Sequence, residues 1–243
     1  MQVTGVLFDM GGTLLSYENR EKIGTAFLTA MADLGIESND PKFAEARKQA
    51  STEIEKRFAN ITSFVHRDLF RERVIRTAEL MGVTASTQVL EQFDINQRNA
   101  VIEHLCPMDG VHEMLSELRS RGLYLAVVSN ADDDFMEPVL ARNGLTALLD
   151  DWTSSEEAKS CKPDNVIFEY TLAKAKRAAS EVLFVGDSPQ HDIAGARNAG
   201  MRGVLISEPN VVAPLSSGLS AVEPDWHIRH LRELVGIIDS LNR

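Results

Sequence analysis

Residues 3–15 read VTGVLFDMGGTLL, and the first half of that stretch decides the fold. Val3, Val6, Leu7 and Phe8 form a short apolar run that stops at Asp9 and the Gly11-Gly12 pair, the pattern of a buried strand followed by a tight turn. A polar residue at such a strand end faces solvent or a ligand. Similar runs recur at 123–128 before Ser129 and Asn130, at 182–185 before Gly186 and Asp187, and at 204–206 before Ser207. Helical spacing lies between them: Val111, Met114, Leu115 and Leu118 repeat at i, i+3, i+4 and i+7, and Ala194, Ala196 and Ala199 follow the third strand. Strands alternating with helices predict a Rossmann-like α/β fold, a doubly wound parallel sheet with right-handed crossovers. Ligands of such sheets bind in the crevice at the carboxyl ends of the strands, where these polar residues cluster.

Residues 16–99 break the alternation, being rich in helix formers and without a clear strand. Helices are predicted over 21–34, 41–58, 67–81 and 86–97, with Asp40 before Pro41 as a helix start. The organisation expected is a core of residues 1–15 and 100–243 with an inserted α-helical bundle at 16–99. Residues 208–224 read as a surface loop, and 228–241 as a closing helix.

The chain has 243 residues, 44% of them apolar and 25% charged, with 8 Pro and 15 Gly, which is ordinary globular composition and ample length for a core. Acidic residues outnumber basic ones 36 to 25, and the net charge of −11 disfavours nucleic acid, whose affinity depends on cationic side chains meeting phosphates. Cys106 and Cys161 have no second cysteine at metal-ligand spacing, which favours a reducing compartment. Lys162 beside Cys161 could lower that thiol's pKa, but a structural role is the expectation. No long apolar run suits a membrane span or a signal peptide, so no membrane partner and a cytoplasmic location are expected.

Asp9 in FDMGGTL, Ser129 in VVSN, Lys162 in CKPD, and Asp187 with Asp192 in VGDSPQHDIAGARNAG occur in that order, each at the end of a strand or in the loop after it. Singly, each has an ordinary reading: a turn or helix cap for the aspartates, a turn for Ser-Asn, a solvated lysine before proline. The ordered set resembles the haloacid dehalogenase-like hydrolase superfamily over the whole chain, and 16–99 looks like that family's helical cap. The resemblance implies a Mg²⁺-dependent phosphohydrolase that acts on a small phosphorylated metabolite through an aspartyl-phosphate. Asp9 is then the nucleophile. Asp9, the Gly11 carbonyl, Asp187 and Asp192 hold the metal, with Asp192 able to support Lys162 instead. Ser129, Asn130 and Lys162 bind the phosphoryl group. The physics agrees, because three carboxylates brought together repel unless a hard cation lies among them, and a hydroxyl and a point charge suit phosphoryl oxygens.

One position departs from the pattern. Family phosphatases usually carry a second Asp two residues after the nucleophile as acid and base, and here that residue is Gly11. A positioned acid or base contributes roughly 10²–10⁴-fold, so poor leaving groups suffer most. Carbon–halogen or carbon–phosphorus hydrolysis, and a catalytically weakened binding or regulatory protein, are the alternatives. The intact Asp187 and Asp192 count against a metal-free dehalogenase, and no cap lysine (Lys22, Lys42, Lys48, Lys56) sits in a recognised Schiff-base motif. Substrate contacts are expected from Phe58, Phe64, His66 and Arg67, against ordinary readings of cap core for the two Phe and a solvated helix start for His66 and Arg67. His191 is expected to be exposed.

Overall fold

A computed structural model describes residues 2–59, 61–207 and 220–243, so most of the loop expected at 208–224 lies outside the described residues. The strands are β1 (Gly5–Phe8), β2 (Leu15–Ser16), β3 (Cys106–Pro107), β4 (Tyr124–Ser129), β5 (Asp151–Ser154), β6 (Val182–Gly186), β7 (Arg202–Ile206) and β8 (Trp226–Ile228). The helices are α1 (Arg20–Ile23), α2 (Thr25–Asp33), α3 (Phe43–Phe58), α4 (His66–Leu80), α5 (Thr87–His104), α6 (Val111–Ser120), α7 (Asp133–Arg142), α8 (Ser155–Ala158), α9 (Asn165–Ala175), α10 (Ala194–Asn198) and α11 (Glu233–Leu241). Six strands form one parallel sheet in the order β5-β4-β1-β6-β7-β8. The chain moves outward from β1 through β4 to β5, then returns to β6 on the other side and continues to β8. The crevice between β1 and β6 is therefore the topological switch point.

Continuous apolar runs suit these central strands because both sheet faces are covered. Val6, Phe8, Val127 and Val185 face a core shared with α6, α7 and α11, while Leu7, Ala126, Val128 and Phe184 face a second core with α9 and α10. Phe168 of α9 meets the Phe184 ring edge-on at 5.2 Å. The helices from α2 to α5 close on apolar clusters of their own, one around Met31, Phe43, Val74 and Phe93 and a smaller one around Ile54, Phe58 and Leu69.

Several sequence expectations shift at their edges. The helix expected over 21–34 is two helices that meet at Gly24, and the one expected to end at 97 runs on to His104. The closing helix begins at Glu233, because Trp226–Ile228 pairs with β7 as an edge strand. β5, of sequence DWTS, has no apolar run to announce it and forms because it pairs with β4, Ser154 lying opposite Ser129. Among the described residues no helix is long and apolar enough to cross a membrane.

Candidate active site

Registry of the sheet gathers the strand-end residues. Phe8 pairs with both Val127 and Val185, so Asp9, Ser129 and Asp187 emerge side by side at the carboxyl edge. The Asp9 amide donates to the Val185 carbonyl at 2.8 Å, which fixes the residue at its exit from β1. The following loop folds back at once: the amides of Leu14 and Leu15 both donate to the Met10 carbonyl, at 3.0 and 2.8 Å. Gly12 turns there with φ +83°, and a Cβ on it would run into the Asp187 carboxylate. Glycine at 12 thus serves the turn and the approach of Asp187 together.

Lys162 reaches this edge from the loop after α8. Asn130 grips its peptide on both sides, accepting from the Lys162 amide at 2.6 Å and donating to its carbonyl at 3.0 Å. The Lys162 ammonium then donates to Asp9 Oδ1 at 2.5 Å and to Asp192 Oδ1 at 2.7 Å, with all three residues buried. Asp192 is aimed by a single π-helical turn at Pro189–Ile193, and its Oδ2 accepts from the Ser188 amide at 3.0 Å. Such turns recur at functional sites. Burial alone would lower the Lys162 pKa, but Asp192 and Asp9 outweigh it and hold the ammonium charged. Burial raises the Asp9 carboxyl to about 6, with Lys162 opposing and Asp192 adding to the rise. Asp187 goes up to about 8 through burial and the charges of Asp9 and Asp192.

Asp9, Asp187 and Asp192 offer carboxylate oxygens that all lie within 4.8 Å of one another. An all-oxygen donor set of this charge suits a hard divalent cation, which would also relieve the repulsion seen in the raised carboxyl pKa values. The residues present therefore fit Mg²⁺.

Above the strand ends opens a cavity of about 840 Å³, bounded on one side by Asp9, Ser129, Lys162 and Asp187 and on the other by helical residues such as Phe70 and Phe93. Of the four residues within 16–99 expected to contact substrate, His66 and Arg67 line this cavity. Phe58 and Phe64 do not line it; their rings meet edge-on at 4.9 Å. His66 is buried, not solvated, and burial, with His191 and Lys162 adding to the effect, lowers its pKa to about 4, so the imidazole is neutral at ordinary pH. His191 corrects the expectation of exposure: it is half-buried at the cavity wall, and the Lys162 carbonyl accepts from its Nδ1 at 3.1 Å. Burial pushes the Cys161 thiol up, and its amide ties to the Thr62 carbonyl at 2.6 Å, which agrees with a structural role.

Tyr17, Arg20 and Asp132 also line the cavity, and no spacing in the sequence pointed to them. Asp132, buried after β4, serves the start of α4, whose N-cap Val65 has no side-chain acceptor. Its two oxygens accept from the His66 amide at 2.6 Å and the Arg67 amide at 2.8 Å, and burial raises its pKa to about 6. Replacing Asp132 by Ala is expected to cost about 1–2 kcal/mol, since it leaves two amides of a helix N-terminus without acceptors. Thermal denaturation should register this as a Tm lower by about 2–8 °C.

The description "haloacid dehalogenase-like hydrolase" matches residues 3–200 of the chain. Ribulose-1,5-bisphosphate 5-phosphatase of Halopiger xanaduensis is 27% identical over 241 residues, which is 97% of this chain and 99% of that protein. The fold of the HAD-hydrolase YfnB from Bacillus subtilis, solved bound to magnesium, superposes with a TM-score of 0.74 at 21% identity, covering 98% of this chain and 100% of that one. L-2-haloacid dehalogenase from Xanthobacter autotrophicus gives a TM-score of 0.71 at 21% identity, covering 99% and 100%.

Proposed function

This chain belongs to the haloacid dehalogenase-like hydrolase family, and on that premise we propose that it is a Mg²⁺-dependent phosphatase of small phosphorylated metabolites. The observation that carries the reading is the buried ammonium of Lys162 bridging Asp9 and Asp192, with Asp187 close enough to share a cation with both. A metal-free displacement at carbon has no use for the third carboxylate. Phosphoryl transfer has, because its catalysis is mostly positioning and neutralisation of charge.

Asp9 attacks phosphorus and holds the phosphoryl group as an acyl phosphate, which water then hydrolyses. Ser129 and Lys162 donate to the phosphoryl oxygens, and Asn130 holds the Lys162 peptide in place. Asp9, the Gly11 carbonyl, Asp187 and Asp192 would hold Mg²⁺, which when bound supplies positive charge to the carboxylates and the phosphoryl oxygens. We assign residues 16–99 the part of a cap that closes over the reacting group and excludes water. Arg20 lines the cavity and has no ion pair among the described residues, unlike Arg67 and Arg98, which meet Asp134. A substrate with a second anionic group fits that arrangement, and the similarity to a bisphosphate phosphatase supports it.

The test is a screen of purified protein against phosphate esters, acyl phosphates, phosphonates and haloacids, each with Mg²⁺ and with chelator. Turnover of p-nitrophenyl phosphate and acyl phosphates with Mg²⁺, abolished by chelator, is expected. Halide release in chelator would overturn the reading in favour of dehalogenation. Saturating Mg²⁺ should also raise the Tm by about 5 °C or more, because a ligand at 100 times its Kd adds about 2.7 kcal/mol to the folded state.

A further inference from the structure

We infer that the Tyr17 hydroxyl donates a hydrogen bond to the departing oxygen of the substrate and stands in for the carboxylate missing at position 11. The inference rests on the phosphatase reading and deepens it.

The first ground is space. A Cβ built on Gly11 would land on the Tyr17 hydroxyl and lie 2.7 Å from the ring carbon that bears it. Gly11, unlike Gly12, has no left-handed backbone that would call for glycine. A side chain at 11 and the phenol at 17 therefore compete for one volume, and glycine at 11 is what lets the phenol fill it.

The second ground is how firmly the ring is held. Tyr17 directly follows β2, whose pairing with β3 sets the direction in which the chain leaves the sheet. Its carbonyl accepts from the Arg20 amide at 2.9 Å, and its ring packs on the apolar cluster around Phe8 and Leu105. The residue lines the cavity together with Asp9 and Gly11. A phenol is protonated at ordinary pH, so its hydroxyl is a hydrogen-bond donor.

The third ground is the line of displacement. As Asp9 attacks phosphorus, the leaving oxygen lies on the opposite side of the phosphoryl group, within the same cavity that Tyr17 and Arg20 line. The bond from phosphorus to Asp9 forms while the bond to the leaving oxygen breaks, and that oxygen takes the electron pair. Tyr17 stabilises the developing negative charge with its O–H and keeps its proton, so the departing alkoxide is finally protonated by water.

The experiment uses the full chain with Mg²⁺ and a series of phenyl and alkyl phosphates of rising leaving-group pKa. Tyr17→Phe keeps the ring and removes only the donor. It should lower kcat/KM for alkyl phosphates by about 10–10²-fold and for p-nitrophenyl phosphate only a few-fold, steepening the dependence on leaving-group pKa. Gly11→Asp alone should not accelerate alkyl esters, because the new carboxylate meets Tyr17. The double variant Gly11→Asp with Tyr17→Ala should hydrolyse alkyl esters faster than Tyr17→Ala does. A wild type active on p-nitrophenyl phosphate whose Tyr17→Phe variant, folded by circular dichroism, keeps the wild-type slope overturns the inference alone. A wild type inert toward every phosphate compound overturns the phosphatase reading and this inference with it.

Discussion

Asp9→Asn should abolish phosphate release, lowering turnover of p-nitrophenyl phosphate by at least about 10⁴-fold, or about 5 kcal/mol of barrier. The amide has the size of the carboxylate but cannot attack phosphorus, so acid quenching during turnover should trap no phosphorylated protein. Loss of fold would not account for this result. Burial raises the Asp9 carboxyl to about 6, so the folded chain binds that proton more tightly than the unfolded chain. The charged form therefore carries a penalty at neutral pH that fades as the pH falls through 6 toward the ordinary aspartate value. A neutral amide avoids the penalty, and in metal-free buffer the variant's Tm should stay within a few degrees of wild type. Turnover within tenfold of wild type would show that another residue is the nucleophile.

Lys162→Ala should lower turnover by about 10²–10³-fold and also weaken the fold. The kinetic loss is that of a fixed charge donor removed from the transferring group. The stability loss comes from Asp9 and Asp192, which the substitution leaves buried without their shared counter-charge. Breaking a buried pair from one side costs about 3–5 kcal/mol, which for a chain of this size lowers the Tm by roughly 10 °C. Kinetics measured well below that Tm separate the two effects. Ser129→Ala, which removes one neutral hydroxyl, should reduce turnover about tenfold or less and leave the Tm near wild type. Equal losses for the two variants would mean that Lys162 acts only by supporting the fold.

The sequence was most legible where its signal was local. Apolar runs that stop at Asp9, Ser129 and Asp187 give three central strands, because a strand buried on both faces must be apolar throughout. The α6 stripe of Val111, Met114, Leu115 and Leu118 likewise needs only 3.6-residue spacing, and all four are buried. Where a partner supplies the stabilisation, the local signal fails. β5 and β8 are edge strands defined by pairing, and Val65 begins α4 without a capping side chain because Asp132, sixty-seven residues on, supplies the acceptors.

Order along the chain by itself determined the parallel sheet and the helical segment after the first strand, and the ordered motifs, through their family resemblance, singled out Asp9, Ser129, Lys162, Asp187 and Asp192 as the candidate site. Those features follow from periodicity and from motifs each written within a few residues. Tertiary structure alone decided which groups face one another: that Asn130 holds the Lys162 peptide, that His191 and His66 turn inward, and that Tyr17 fills the space over Gly11. The physical reason is that a side chain's protonation and reach depend on neighbours brought close by sheet registry and loop closure, and residues far apart in the chain carry no mark of that proximity.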